Sequence, residues 1–240
     1  MKILVAAFAY NERPYIPYMV EYYRSQGCDL LILDNYSTDG TYEWLKENEV
    51  DVVRVDTDDS FHLIRLQKAM LRELRRRHPD WFIYTGVDTY FYLGKSIRKE
   101  IEIQHNLGFN KIVVTRIEAY NTGEKFLLPF QENYFYVRVG EKREMIVRYD
   151  RDDRQFCFRG DRVYISNPKL FVNGGFLINY GMCKSKEERE ETFARRQRAW
   201  ALGNPKGHGI HYAPAQERNW IWEKENLTDI RTTEFYTLMK

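Results

Sequence analysis

Five apolar runs in the first half of the chain alternate with segments of helical periodicity. The runs contain few polar residues, which is the pattern of strands that helices cover on both faces. They are Ile3–Ala9, Leu30–Leu33, Val52–Val55, Trp81–Thr85 and Lys111–Thr115. The pattern predicts an α/β fold with a central, mostly parallel sheet flanked by helices.

Apolar residues at helical spacing predict four helices between these runs. The clearest is the third, because Leu66, Leu71 and Leu74 populate one side and Pro79 follows its end. The predicted helices are Pro14–Gln26, Thr41–Asn48, Phe61–Arg77 and Gly94–Leu107. Helices that connect successive strands indicate βαβ units with right-handed crossovers.

The pattern changes after about residue 120. Phe135, Val137 and Val139 alternate with polar or small residues, and later short runs are separated by charged or glycine turns. This predicts a smaller antiparallel β portion in the second half. A charged helix is expected over Ser185–Leu202. Since no Pro- or Ser-rich linker separates the halves, we expect one domain over residues 1–240.

Composition narrows the class of protein. The chain is 43% hydrophobic and 15% aromatic, which excludes general disorder. Lys plus Arg (37) nearly balance Asp plus Glu (35), so nothing favours a dedicated nucleic-acid binder. Three separated cysteines predict neither a disulfide framework nor a zinc finger. No stretch approaches the roughly 18 apolar residues of a membrane span. We expect a cytoplasmic protein without a transmembrane segment, with the inner face of a membrane as the alternative.

Acidic and small polar residues follow four of the predicted strands. In an open α/β sheet, ligands bind beyond the carboxyl ends of the strands. Carboxylates there can hold a ribose hydroxyl, a base N–H or a hard divalent cation. Helix capping is the alternative for Ser37, Thr38 and Thr41. The segments are residues 10–12, 34–41, 56–59 and 86–89.

Several catalytic motifs are absent from the sequence. No Gly-x-Gly-x-x-Gly follows the first strand and no P-loop is present, which disfavours a Rossmann dinucleotide enzyme and a P-loop nucleotidase. Neither Gly-x-Ser-x-Gly nor His-Glu-x-x-His occurs.

Two segments resemble the family 2 glycosyltransferases of the GT-A fold. That family typically carries Asn-Glu after its first strand and Asp-(Asp/Asn)-x-Ser-x-Asp-Gly-Thr after its second. Here the first segment is AAFAYNE (residues 6–12) and the second is LILDNYSTDGT (residues 31–41). Further along, Gln67, Trp81 and residues 87–90 are similar to the arrangement that leads into the family's Asp-x-Asp motif. The resemblance covers about residues 3–92.

The resemblance implies a GT-A type of fold that transfers a sugar from a nucleotide-diphosphate sugar to an acceptor hydroxyl in glycan biosynthesis. A UDP-sugar is favoured as donor, and a glycan, a lipid-linked molecule or another hydroxyl compound as acceptor. By position, Asp34 would read the base, Asn11 and Glu12 would lie near the nucleotide, and Arg65 near the diphosphate. A solvated helix face is the alternative for Arg65. Residues 1–120 would bind the donor and residues 121–240 the acceptor.

The Asp-x-Asp motif is reduced here to Gly86-Val87-Asp88. Asp88 matches the second Asp, which is usually the metal ligand, so the resemblance implies Mn²⁺ or Mg²⁺ held by Asp88 and substrate phosphates. A C-terminal His often completes this site in the family, and His208 and His211 are the candidates. A structural or exposed role in a Gly-rich loop is their alternative. Asn179 is a further position at which related sequences can carry His.

The sequence leaves the catalytic base unassigned. An inverting transfer needs a base for the acceptor hydroxyl, and turn or surface roles are the alternative for every candidate. The reduced metal motif also leaves a second function open, that of a degenerate, non-catalytic nucleotide-sugar binding or scaffold protein. A nucleotidyltransferase is disfavoured, because residues 10–13 do not form a Gly-rich basic loop. The candidate bases are Glu118, Asp150, Asp152, Asp153 and Asp161.

Overall fold

The computed structural model describes residues 1–58, 62–120, 136–150, 156–159, 162–183 and 227–234, together with a few helical positions between 187 and 194. Four helices lie in these ranges: α1 (Ile16–Ser25), α2 (Thr41–Glu47), α3 (Leu63–Arg77) and α4 (Ile97–Asn106). The strands are β1 (Ile3–Ala9), β2 (Asp29–Asp34), β3 (Asp51–Arg54), β4 (Trp81–Tyr84), β5 (Thr89–Tyr92), β6 (Lys111–Tyr120), β7 (Tyr136–Arg148), β8 (Cys157–Arg159), β9 (Arg162–Tyr164), β10 (Leu170–Met182) and β11 (Thr228–Asp229). A short 3-10 helix follows at Ile230–Thr232.

Nine strands form one sheet in the order β3-β2-β1-β4-β7-β6-β10-β5, with β11 beside β7. Strands β3, β2, β1 and β4 are parallel, and β6 is parallel to β10. Strand β7 is antiparallel to β4, β6 and β11, and β5 is antiparallel to β10. All strands of this sheet except β7 and β5 therefore point the same way. The α/β class with a mostly parallel sheet is confirmed, and β8–β9 form the small antiparallel sheet.

The two faces of β1 are both buried, which explains its uninterrupted apolar sequence. Ile3, Val5 and Ala7 pack in a core with residues of α1, α2 and α4. Leu4 and Ala6 pack on the opposite face with α3 and with residues next to and within β8 and β9. Burial of one large apolar side chain contributes about 1.5–3 kcal/mol. The sheet is thus held on both sides, and its strand ends are fixed in relation to each other.

Helix α3 shows how the sequence specifies these elements. Its buried residues Leu66, Ala69, Met70 and Leu74 recur at helical spacing and face the sheet. The cations Arg75–Arg77 occupy the last turn, where they interact favourably with the helix dipole. Within the described ranges no helix has the length and apolar character needed to cross a membrane.

The structure differs from the sequence expectations mainly in the second half. The 13-residue β10 was not predicted, because Gly174, Gly175 and Gly181 interrupt its apolar pattern. The short β5 lies between the predicted strand that ends at Thr85 and the helix predicted from Gly94, where no strand was predicted. The two runs around residues 137 and 147 belong to one strand, β7, whose pairing with β6 contains register shifts. The helix expected over Ser185–Leu202 falls largely outside the described residues, and the division into donor and acceptor halves stays a prediction.

Gly175 shows why β10 needs glycine where it meets β5. A Cβ at this position would lie 2.1 Å from the carbonyl oxygen of Tyr92 and 2.6 Å from the side-chain oxygen of Asn173. No side chain fits in that space, so the glycine permits the close approach of the two strands. This approach brings Asn179 of β10 opposite Thr89 of β5.

Candidate functional site

The loops that follow β1 and β2 are bonded to each other at the carboxyl edge of the sheet. The backbone N–H of Asn11 donates to the Ser37 hydroxyl (2.9 Å), and the N–H of Thr38 donates to Oδ1 of Asn11 (2.8 Å). Asn11 has a positive φ of 52°, a conformation that Asn tolerates better than most residues. The Asn11 side chain, predicted to lie near a nucleotide, therefore organises the neighbouring loop.

A second set of bonds links the same loops around Thr41. The Thr41 hydroxyl accepts from the N–H of Glu12 (3.0 Å) and donates to Oδ1 of Asp39 (2.5 Å). Oδ2 of Asp39 accepts from the N–H of Arg13 (2.9 Å). Gly40 is the N-cap of α2 and supplies no side chain. The hydroxyls of Ser37 and Thr41 thus join two loops, and their interpretation as caps of α2 is wrong.

Asp34, the last residue of β2, is fully buried at this edge. Its Oδ2 lies 3.2 Å from the N–H of Ser37 and 3.4 Å from Nε of Arg54. Arg54 is the register partner of Asp34 on β3, so both side chains lie on one face of the sheet. Burial raises the pKa of the Asp34 carboxyl, and the contacts with Ser37 and Arg54 oppose that rise. The Asp34 carboxylate is therefore buried beside the partly exposed side chain of Arg54.

Asp88 stands at the same edge of the sheet, directly before β5. Its Oδ1 accepts hydrogen bonds from Nδ2 of Asn179 (3.1 Å) and from the Thr89 hydroxyl (3.3 Å). Its backbone carbonyl accepts from the N–H of Tyr180 (2.8 Å). Strand β10 therefore holds both the backbone and the side chain of Asp88. Asp34 and Asp88 lie at one edge because β2 and β4 are parallel and both end there.

Glycines flank both oxygens of the Asp88 carboxylate. A Cβ at Gly86 would lie 2.8 Å from Oδ1, and a Cβ at Gly181 would lie 3.0 Å from Oδ2. Contacts this short force a neighbour to move. The first Asp of an Asp-x-Asp motif, placed at position 86, would therefore displace Asp88 from its present position. Gly86 therefore leaves room for the Asp88 carboxylate in its observed position.

The phenol of Tyr90, two residues after Asp88, is fully buried. Burial raises the pKa of the Tyr90 hydroxyl, and the charges of Asp88 and Glu12 raise it further. Both carboxylates therefore act on one phenol that is itself fully buried. Glu12 itself is held in the loop after β1, where its backbone N–H donates to the Thr41 hydroxyl.

Two tyrosines of α1 fix the strand that begins after Asp88. The Tyr23 hydroxyl donates to the carbonyl of Thr89 (2.7 Å), and the Tyr22 hydroxyl donates to the carbonyl of Phe91. Both phenols are largely buried, and burial raises their pKa, so they stay protonated donors at neutral pH. The start of β5, and with it Asp88, is held by α1 on one side and β10 on the other.

Arg65 lies in the first turn of α3 and forms an ion pair with Asp58, which follows β3. Its side chain is half exposed, so the pair is of the weak surface type. The structure therefore places Arg65 at the edge where the loops of β1 and β2 lie, and a phosphate would compete with Asp58 for it. Its role toward a diphosphate stays a prediction.

Two candidate bases fall in described parts of the chain. Glu118 of β6 is the register partner of Asn179 and contacts Arg116 (2.5 Å) and the Tyr120 hydroxyl (3.0 Å). Asp150 follows β7, whose end pairs with the start of β4, so it lies at the opposite edge of the sheet. The other candidate bases and the two candidate histidine ligands of the metal lie outside the described residues. They are Asp152, Asp153, Asp161, His208 and His211.

Within the described ranges, no three or more His, Cys, Asp or Glu side chains form a group able to hold a metal ion. Asp88, in its glycine-lined space, fits a cation that takes one protein carboxylate and completes its shell with phosphate and water oxygens. The side-chain oxygen of Asn179 accepts from the N–H of Gly181 (3.0 Å), which orients the Asn179 amide with its NH₂ toward Asp88.

Sequence reasoning missed Arg54 and gave Asn179 only a minor place. Arg54 ends a short strand, and its importance comes from its register with Asp34, which the sequence does not show. Asn179 lies on the unpredicted β10 and reaches Asp88 over a separation of 91 residues. The one available signal was the polar residue within the apolar segment around residues 176–180.

No known protein-family model and no curated protein sequence matches the chain. Solved structures with a similar shape include TarS 1–349 of Staphylococcus aureus, with 11% identity over 88% of this chain and 68% of that one (TM-score 0.43). HddC of Yersinia pseudotuberculosis, complexed with GMP-PN, has 13% identity over 82% and 98% of the two chains (TM-score 0.39).

A third similar structure is glucosyl-3-phosphoglycerate synthase of Mycobacterium tuberculosis with Mn²⁺, UDP and glucosyl-3-phosphoglycerate. It has 18% identity over 51% of this chain and 45% of that chain (TM-score 0.34). The chain spans only 37% of TarS 1–349 in its complex with UDP-GlcNAc. The nucleotides, the sugar compounds and the Mn²⁺ named here are bound to those other proteins.

Proposed function

We propose that the chain is a glycosyltransferase of the GT-A type that moves a sugar from a nucleotide-diphosphate sugar, with a UDP-sugar favoured, to an acceptor hydroxyl. The observation that carries this proposal is the Asp88 carboxylate, held by Asn179 at the sheet edge where the motif loops of β1 and β2 meet. The near-complete motif over residues 34–41 supports it. A glycan or lipid-linked acceptor, and action in the cytoplasm or at the inner face of a membrane, belong to the same proposal.

The proposed donor lies along the edge from β2 to β5. The nucleotide occupies the end near Asp34 and Asn11, and the diphosphate lies between Arg65 and Asp88. Glu12, in the loop after β1, is suited to accept hydrogen bonds from ribose or sugar hydroxyls. Arg65 donates to phosphate oxygens once it leaves Asp58, because a guanidinium matches phosphate geometry.

The leaving diphosphate gains charge as the sugar–phosphate bond breaks, so the site must stabilise that charge. A divalent cation, Mn²⁺ or Mg²⁺, would be held by Asp88 and would supply electrostatic stabilisation of the diphosphate. His208 and His211 remain the proposed further ligands. Asn179 and Thr89 hold the Asp88 carboxylate in one orientation, which reduces the rearrangement needed when the donor binds.

The acceptor hydroxyl must lose its proton to a base. Among the described candidates, Glu118 lies in register with Asn179 at the site edge, whereas Asp150 lies at the opposite edge. We therefore place Glu118 first for mutagenesis without assigning it the role, since its carboxylate already contacts Arg116 and Tyr120.

The experiment is a donor-turnover assay with a panel of nucleotide sugars, each with Mn²⁺ or with EDTA, that measures release of the nucleoside diphosphate. We expect turnover of at least one donor and a loss of about 100-fold or more in Asp88→Asn. Asp29→Asn, which removes an exposed carboxylate from the other end of β2, is the matched control and should retain wild-type activity. An Asp88→Asn variant of full activity would remove Asp88 from the mechanism.

A second candidate function is a non-catalytic nucleotide-sugar binding protein. The glycine at position 86, which leaves Asp88 as the carboxylate of the reduced motif, favours it. Calorimetry with the same donors separates the two functions. Binding without turnover of any donor supports the second function, and turnover supports the first.

A further inference from the structure

Arg54 forms a stack with two tyrosines at the base end of the proposed site. Its guanidinium carbon lies 3.8 Å from the ring centroid of Tyr42 and 5.2 Å from that of Tyr36. Both distances are within the range of cation–π attraction. Nε of Arg54 faces Asp34 at 3.4 Å, and Nη2 lies 3.5 Å from the exposed Glu43 carboxylate. The guanidinium is therefore held on its faces and along one edge.

The group presented to a ligand here is Arg54 and not Asp34. Asp34 is fully buried, while a third of the Arg54 side chain is exposed. A base that approached Asp34 directly would compete with the Ser37 N–H, 3.2 Å from Oδ2, and with Nε of Arg54, 3.4 Å from the same oxygen. The buried carboxylate instead fixes Arg54, since a charge on one register partner holds the opposite charge on the next strand.

Tyr36 adds an aromatic surface beside this cation. Its side chain is 51% exposed although it stands between the buried residues Asn35 and Ser37. Its φ is 56°, a conformation in which a bulky residue is strained and which recurs at ligand sites. An exposed ring at the end of a strand offers a stacking face for a planar base.

We propose that Arg54 is the residue that selects the donor base, and that it favours a base with a carbonyl oxygen at C4 of a pyrimidine or C6 of a purine, uracil or guanine, over cytosine and adenine, which carry an amino group there. This inference rests on the proposed function, because it concerns the nucleotide of the same donor. Tyr36 supplies the stacking face, and Asp34 acts as a positioning residue for Arg54.

The selection follows from hydrogen-bond polarity. A guanidinium has only donors. Uracil O4 and guanine O6 accept hydrogen bonds, whereas cytosine and adenine carry an amino donor at the corresponding position. An Arg N–H that meets an amino group finds no acceptor there, so the mismatched base lacks one charge-assisted hydrogen bond that the matched base makes. UDP and CDP differ at this position of the base and share the ribose and diphosphate, so they form a matched pair of probes.

Calorimetry of the full chain with UDP, CDP, GDP and ADP tests the inference. We expect wild type to bind UDP at least about tenfold more tightly than CDP, and GDP more tightly than ADP by a similar factor. In Arg54→Met the UDP/CDP ratio should fall to about twofold or less. Lys46→Met, which removes an exposed cation of α2 from the same region, is the control and should keep the wild-type ratio.

Arg54→Met leaves the buried Asp34 carboxylate without its cation and so risks unfolding. The double variant Asp34→Asn with Arg54→Met removes both charges and should show the same loss of selectivity. The readout is a ratio of two dissociation constants on one protein, which a general loss of stability does not change.

The outcomes separate this inference from the proposed function. If UDP and CDP bind wild type equally, or if either Arg54 variant keeps the wild-type ratio, the inference that Arg54 selects the base is wrong. The proposal that the chain binds a nucleotide is then unaffected. If none of the four diphosphates binds wild type with or without Mn²⁺, the proposed function itself fails. A wild-type ratio that only the Arg54 variants lose supports the inference.

Discussion

The Asp88 carboxylate accepts a 3.1 Å hydrogen bond from the Asn179 amide, which stands 91 residues later in the chain. The same amide nitrogen donates to the Thr89 hydroxyl at 2.7 Å. One amide from β10 therefore joins two residues at the start of β5. The orientation of Asp88 depends on the second half of the chain, although the motif that contains it lies in the first half.

Replacement of Asn179 by Ala should lower kcat for donor turnover by about tenfold or more, since a hydrogen bond to a charged group is lost. KM for the donor should change less, because the amide positions the carboxylate and binds no part of the proposed base end. Steady-state kinetics in saturating Mn²⁺ measures both values. An unchanged kcat in Asn179→Ala would show that Asp88 does not need this support.

Restoration of the second carboxylate in Gly86→Asp should weaken Mn²⁺ binding instead of strengthening it. The added Cβ would lie 2.8 Å from Oδ1 of Asp88 and force that carboxylate to move. Gly86→Ala should weaken binding in the same direction. Gly174→Ala is the matched control, because a Cβ there meets no atom within 4 Å. Titration with Mn²⁺, followed by calorimetry or paramagnetic resonance, measures the dissociation constant of each variant. Tighter Mn²⁺ binding by Gly86→Asp would refute the steric argument.

Thr41→Val should lower the free energy of unfolding by about 1–3 kcal/mol, because the Glu12 N–H loses its acceptor and Asp39 loses a donor. In a domain of this size each kcal/mol corresponds to about 2–4 °C in Tm. Thr38→Val removes only a long 3.4 Å side-chain contact and serves as the control. Equal melting temperatures for the two variants, measured by calorimetry, would contradict the proposed bond between the loops.

The raised pKa of the Asp34 carboxyl leads us to expect a specific dependence of the unfolding free energy on pH. Burial raises the pKa of its carboxyl in the folded state above the unfolded value of about 3.9. The folded state therefore binds the proton more tightly, and the contribution of Asp34 to stability is full below pH about 3.9 and declines as pH rises through the folded pKa. The difference in unfolding free energy between wild type and Asp34→Asn should thus fall from acidic to neutral pH.

Urea unfolding of both proteins at several pH values measures this difference, in which titrations common to both proteins cancel. A difference that grows toward neutral pH would mean that Ser37 and Arg54 outweigh burial, and that the Asp34 pKa is lowered.

The first half of the fold is readable from sequence because its central strands, β1, β2 and β4, are buried on both faces. β1 to β4 and the four helices therefore carry strong local patterns, and the structure confirms them with shifts of a few residues at their ends. Polar residues at strand ends also pointed to the edge where Asp34 and Asp88 lie. That much follows from local pattern and parallel topology alone.

The rest depends on contacts between distant parts of the chain. β10 contains glycines that serve its close approach to β5, and these glycines conceal the strand from pattern reasoning. Arg54 is the partner of Asp34, and Asn179 is the partner of Asp88. Both partners can be identified only when the register of neighbouring strands is known. Asn11 was expected to lie near a nucleotide and Thr41 to cap a helix, and the structure shows both in bonds between loops.

The position of β7 between β4 and β6 has a consequence for any attempt to shorten the protein. A fragment that stopped at residue 120 would keep β4 and β6 but lose the strand that hydrogen-bonds to both. It would also lose β10, the partner of β5 and β6, so strands β4, β5 and β6 would all have unpaired edges, which promote intermolecular pairing. We expect the fragment to self-associate during expression, so crystallisation and binding studies should use the uncut polypeptide.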